Sequence, residues 1–305
     1  MIRLVGLMCL SVCMSLSAAT KVATPTQLSG TEKLAHTHQQ KFKSWVDDTL
    51  ALVENTLGTL PQSHLPVTLK TKSFTTEPVP WGQVERGVNQ RIDGLYLVAN
   101  RHAKLSQLTY DWTLYHEISH LYLPYLDYPS FWLSEGFATY MQNVIMLENQ
   151  VFDRAEFIAR MKSGLKRGKE NTFSAQGKLS SVTYMMREKR AFKRVYWSGT
   201  AFFIEADIRL QTHGTSLIEV VAKFAHCCKN EVDSGPELVK ALDKLVGHRV
   251  FVPLYYQYKD RLDFPTIEST LIYQLANYYR PNDLLGLKTN QTAMDIFSQR
   301  LLSQP

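Results

Sequence analysis

The pentapeptide His116-Glu117-Ile118-Ser119-His120 lies in a run that the apolar spacing predicts to be one helix, from about Ser106 to Leu123, with Pro124 as its stop. Residues four apart on a helix share a face, about 40° apart around the axis. Two imidazoles so placed can hold one metal ion from the same side. Glu117 falls on the flank of that face, where it can reach a water on the metal without being a ligand itself. Nitrogen ligands suit zinc, and zinc brings the pKa of its water toward neutrality. A carboxylate beside that water can take its proton as it attacks a carbonyl. Taken alone, the motif also fits a surface helix whose histidines face solvent.

A zinc site with two histidines needs a third protein ligand. Downstream stands Trp132-Leu133-Ser134-Glu135-Gly136-Phe137-Ala138-Thr139-Tyr140, within a second helix expected from Phe131 to about Glu148, with Ser130 as its cap. The chain turns between the two helices at Tyr125 to Pro129. If the helices run antiparallel, Glu135 returns to the histidines and becomes the candidate third ligand.

These two segments together resemble the gluzincin zinc metallopeptidases. They are most similar to the aminopeptidase N and glycyl aminopeptidase branch, whose second motif reads like LxEGxAxY. The resemblance implies a thermolysin-like catalytic domain with one Zn2+ per chain, held by His116, His120 and Glu135. It implies Glu117 as general base and then general acid. A third block, Val195-Tyr196-Trp197-Ser198-Gly199-Thr200-Ala201 and on to Arg209, resembles the family's Tyr-x-x-Gly segment opening a helix. By position, Tyr196 would donate a hydrogen bond to the oxyanion of the tetrahedral intermediate, which a phenol can do without titrating at neutral pH. The similarity covers about Tyr110 to Leu262, roughly half of the chain.

The chain also departs from the family pattern. Fourteen residues separate His120 from Glu135, a short spacer like that of smaller, divergent members. Thr139 stands four residues after Glu135, where thermolysin-like enzymes often carry an aspartate behind a histidine; a hydroxyl accepts from an imidazole N–H more weakly. No Gly-x-Met-Glu-Asn segment is found upstream, so specificity for a free amino terminus does not carry over. The apolar stretch Gly94 to Ala99 reads as a strand, either one that lines the cleft and pairs with an extended peptide or an ordinary member of a sheet.

Outward from the motif, Glu32 to Leu57 has helical spacing and Val67 to Phe74 alternates like a strand. Pro78, Pro80, Gly82 and Gly87 mark the segment between the two strands as loop. Further helices are expected over Asp153 to Gly168, Tyr196 to Gln211, Ser216 to Cys228, Ser234 to Val246 and Val250 to Leu262, with Ser216 and Ser234 as caps. Glu170 to Lys193 reads as a long loop. The fold class is therefore α+β: a small mixed N-terminal lobe with a β-sheet, about 20–109, then a mainly helical lobe, 110–262, and a C-terminal extension, 263–305. Residues 20–305 form a single unit.

Composition supports a folded domain. Of 305 residues, 45% are apolar, 11% aromatic and 20% charged, which excludes a disordered tail, a collagen-like fibre and a disulfide-dense miniprotein. The net charge of +6 comes from Lys and Arg spread along the chain. The densest run, Arg187, Lys189, Arg190, Lys193 and Arg194, reads as a solvated face, and no nucleic-acid partner is expected. Arg3, the apolar stretch Leu4 to Leu16 and Ser17-Ala18-Ala19 read as a signal peptide cut near Ala19. The protein is then exported, periplasmic or secreted with a lean to a bacterial periplasm, and not stably inserted in a membrane. Cys227 and Cys228, adjacent in a helix-like run, read as ordinary buried thiols, and Trp45, Trp81 and Trp112 as core. His102, His213, His226 and His248 are isolated and read as surface or core residues. The expected partner is a peptide or protein substrate; the sequence leaves the oligomeric state open. Two other readings share the motif: an amidase acting on cell-wall peptides, and a non-catalytic, zinc-stabilised binding or assembly protein.

Overall fold

A computed structural model of the chain describes residues 23–87 and 92–280; the signal-like segment and the last 25 residues lie outside them. Alternation in Leu65–Lys72 (β2) buries Leu65, Val67 and Leu69, while Gly94–Asn100 (β4) is buried along most of both faces, as a central strand must be. Two more strands complete a sheet of order β1-β2-β4-β3: Thr26–Ser29 (β1) and Trp81–Glu85 (β3). β1, β2 and β4 run parallel, and β3 pairs antiparallel with β4 in the register Gly82 to Leu97. β3 corrects the reading of this segment as loop. Pro78 and Pro80 stop just short of the ladder and cost it no donor. β4 therefore has strands on both sides, and β1 and β3 are the edges.

Helix α1 (His36–Leu57) crosses from β1 to β2. Phe42, Trp45, Val46, Leu50, Val53 and Leu57 form its buried face. Gly58, at φ 84°, ends it with its N–H on the Glu54 carbonyl at 3.0 Å. After β4 the expected single helix is two, α2 (Leu105–Tyr110) and α3 (Thr113–Ser119), with a 3-10 turn over His120–Tyr122. The break has a local cause: Asp111 is extended, and its carboxylate accepts the Thr113 N–H at 2.8 Å. His120 still donates its N–H to the His116 carbonyl, so the four-residue spacing of the histidines survives the tightening.

The helical lobe follows: α4 (Phe131–Glu148), α5 (Arg154–Ser174), α6 (Leu179–Tyr184), α7 (Phe192–Thr212), α8 (Leu217–Cys227), α9 (Gly235–Val246), α10 (Phe251–Lys259) and α11 (Ser269–Tyr279). Ser216 caps α8 as expected. Ser130 and Ser234 make no side-chain cap; the Ser130 hydroxyl pairs with that of Tyr255 at 3.1 Å. The segment Glu170 to Lys193, read as loop, contains the end of α5 and all of α6. The part of the C-terminal extension within the described residues caps the helical lobe, α11 packing on α4, α5 and α7. Asp207 of α7 holds this corner: it accepts from the hydroxyls of Tyr140 and Tyr279 and from the N–H of Leu217. Among the described residues no helix is long and apolar enough to cross a membrane.

Three local expectations fail for the same reason, that burial is decided by tertiary neighbours. Arg194 is fully buried; its guanidinium donates to the carbonyls of Ala175, Gly177, Arg261 and Leu262, so it fastens the end of α5 and the chain after α10 to α7. Trp81 and Trp112 stand 56% and 44% exposed, and only Trp45 of the three is core. Cys227, the last residue of α8, and Cys228 just beyond it are joined as a disulfide, and neither is buried.

Candidate metal centre

α3 is buried on every side, between β3 and β4, α1 and α4. α4 runs back across it and delivers Glu135. His116 Nε2 lies 3.3 Å from Glu135 Oε2 and 3.2 Å from His120 Nε2, and His120 Nε2 lies 3.8 Å from the same carboxylate oxygen. The three ligand atoms all fall within 4.8 Å of one another and all three residues are buried.

The opposite ring nitrogens decide where these imidazoles point. His116 Nδ1 faces Gln142 Oε1 at 2.8 Å, and His120 Nδ1 faces Ser134 Oγ at 3.1 Å. Both partners sit on α4 with Glu135, so one helix supplies a donor and orients the other two. Held in this way, both Nε2 atoms turn toward Glu135, and the two-nitrogen, one-carboxylate set fits a zinc-type ion. Gln142 and Ser134 are the residues that sequence reasoning missed. Thr139 does not take the supporting role: its hydroxyl is buried without a hydrogen-bond partner.

Glu117 and Tyr196 also reach the site. Burial pushes the Glu117 carboxyl up to about 7, against the pull of His116 and Arg86. Burial works the same way on Glu135, but its hydrogen bond with His116 and the two imidazoles hold it below the usual carboxylate range. His120 is pushed down to about 3 by burial, which keeps its lone pair free. The Tyr196 ring stacks on His116, centroids 5.9 Å apart, which brings its hydroxyl near Glu135. Burial and the charges of Glu135 and Glu117 raise that phenol well above its ordinary value, so it remains a donor.

Glycines bring these parts together. A Cβ on Gly136 would lie 2.3 Å from the backbone of Gly199, and one on Gly199 would lie 2.1 Å from the Trp132 carbonyl. α4 and α7 thus cross backbone on backbone, one residue past Glu135 and three past Tyr196. Gly82 does the same for the sheet: its missing Cβ would sit 2.8 Å from Glu117 Cγ and from Thr113 Cγ2. Edge strand β3, rather than β4, is the strand that passes over Glu117. His102, His213, His226 and His248 are exposed and take no part; the rings of His213 and His248 stack at 4.0 Å.

No family model matches the chain and no curated protein matches it. Among solved structures, it is similar in fold to an aminopeptidase N family protein from Idiomarina loihiensis, at 13% identity and a TM-score of 0.50, over 82% of this chain and 46% of that one. An M1 zinc metallopeptidase from Deinococcus radiodurans gives a TM-score of 0.46 at 15% identity, over 79% of this chain and 47% of that one. The chain spans less than half the length of either protein.

Proposed function

We propose that the chain is a zinc-dependent peptidase of the gluzincin type, a small and divergent relative of the aminopeptidase N branch. The observation that carries this reading is the convergence of His116, His120 and Glu135 beside a buried carboxyl that is not itself in the ligand set. A purely structural metal site has no use for Glu117. The fold shared with the Idiomarina protein supports the same reading.

Zinc held by these three residues would supply Lewis acidity and bring a water toward ionisation near neutral pH. Glu117 takes the proton from the attacking water and returns one to the leaving amine, and burial beside the ligand set places its carboxyl for both halves of that exchange. Tyr196 donates to the oxyanion from the far side of His116. An extended peptide lies along the outer edge of β3, which no other strand pairs among the described residues and which passes over Glu117 at Gly82. The signal-like N-terminus leads us to read the enzyme as exported.

The test is zinc content and cleavage of a mixed peptide library by the wild type beside Glu117→Gln. One zinc per chain in both, with cleavage by the wild type alone, is the expected result. Zinc in both and cleavage by neither would favour the amidase or the non-catalytic reading. A wild type that binds no zinc would overturn all three.

A further inference from the structure

We infer that Arg86 makes this site read a substrate carboxylate, whether the C-terminus of a peptide or an acidic side chain. The inference rests on the peptidase reading and specifies its substrate class. Along β3 the odd positions Trp81, Gln83 and Glu85 face solvent, while Gly82 and Val84 are partly covered on the other face, where Gly82 meets Glu117. Arg86, next in the chain, continues the covered set. Its guanidinium lies over the Tyr125 ring at 5.6 Å. By this alternation Arg86 falls on the same face of the strand as Gly82, the face that meets Glu117.

Among the described residues, Asp93 is the carboxylate in ion-pair contact with Arg86, at 2.7 Å, and the same oxygen also faces Lys229 Nζ at 3.6 Å, so the two cations share it. Its other oxygen accepts the Gly87 N–H at 3.1 Å. Lys229 is sealed in, 9% exposed, with its ammonium on the Leu121 carbonyl at 2.7 Å. Arg86 keeps 24% of its side chain open to solvent. Only one nitrogen of the guanidinium is engaged by Asp93, and the planar fork suits a second carboxylate. At about 3.3 Å per residue the strand puts Arg86 some 13 Å from Gly82, so the group it reads lies within about four residues of the bond being cut.

The experiment uses the zinc-loaded, full-length Glu117→Gln protein, which holds peptide without turning it over. Calorimetric affinities are compared for peptide pairs that differ only in a C-terminal carboxylate or carboxamide, and for pairs with Glu or Gln at each internal position. We expect the acid of at least one pair to bind about tenfold or more tightly than its neutral twin, as for a charge-assisted hydrogen bond. The first set of pairs against the second tells terminus from side chain. The discrimination should vanish in Glu117→Gln/Arg86→Gln and persist, weakened, in Glu117→Gln/Arg86→Lys, whose melting temperature reports whether Asp93 still has a cation. Equal affinities across every pair, or undiminished discrimination in a folded Arg86→Gln form, would overturn the assignment and leave the peptidase reading standing. Arg86-dependent binding of carboxylates by a protein whose wild type cleaves no peptide would do the reverse. Absence of binding by any peptide would count against both.

Discussion

At the scale of a residue, Glu117 shows the cost of burying a carboxyl. Its folded-state pKa, about 7, lies above the 4.5 of an unfolded glutamate because burial penalises the charge. The neutral form is therefore the one that folding favours. This contribution is complete below pH 4.5 and is lost as pH rises through about 7. In the metal-free protein above that pH, Glu117→Gln should thus raise stability, by at most about 3 kcal/mol, and the gain should fade on acidification. Urea melts of the two apo proteins across the pH range check this; a Gln variant no more stable than wild type at alkaline pH would contradict the burial argument. Tyr196→Phe removes one donor and leaves the stack on His116, so kcat should fall roughly 100-fold with KM changed by less than about threefold. The residues legible in the sequence were those whose relation is local, His116, Glu117 and His120 on one helix. Glu135 and Tyr196 needed the family resemblance as well. Gln142 and Ser134 were not legible, because nothing short of the tertiary arrangement says which way an imidazole ring turns.

Between elements, the decisive contact is the crossing of α4 and α7 at Gly136 and Gly199. Each glycine stands where the other helix's backbone leaves no room for a methyl group. Gly199→Ala should cost about 3 kcal/mol in stability and push Tyr196 away from Glu135, so zinc affinity and kcat fall together; an alanine variant with native melting and activity would refute the close approach. The glycines that follow Glu135 and Tyr196 in the sequence thus have a packing explanation independent of any chemistry. The helices themselves were largely readable from apolar spacing. β3 was not, because its pairing with β4 is a long-range choice and the prolines before it read locally as loop. The break between α2 and α3 had a visible signal in Asp111, two residues before Thr113, which the continuous apolar pattern outweighed.

Over the whole molecule, the proposed metal ligands bridge the two halves of the fold. His116 sits on α3, which packs against the sheet, His120 on the 3-10 turn that follows it, and Glu135 on the helix that joins the α7 side. Stripping the ion with a chelator should therefore lower the melting temperature by roughly 10 °C as well as abolish cleavage, with both restored by zinc. Loss of cleavage without a thermal shift would mean that the ion bears on chemistry alone. The division into a mixed lobe and a helical lobe could be read along the chain. The fastening of the helical lobe by Arg194 could not, since a cation in a basic run looks solvated until the carbonyls around it are in place.

The open edge of β3 has a consequence for handling the protein. Backbone groups that can pair with a substrate can equally pair with the same strand of another copy, and unprotected edges are where β proteins stick together. Trp81, Gln83 and Glu85 line the exposed face of this strand, so a large apolar side chain at its start is followed by a polar and an acidic one. The edge that lies over Glu117 thus also sets how far the protein can be concentrated before its molecules begin to pair through β3.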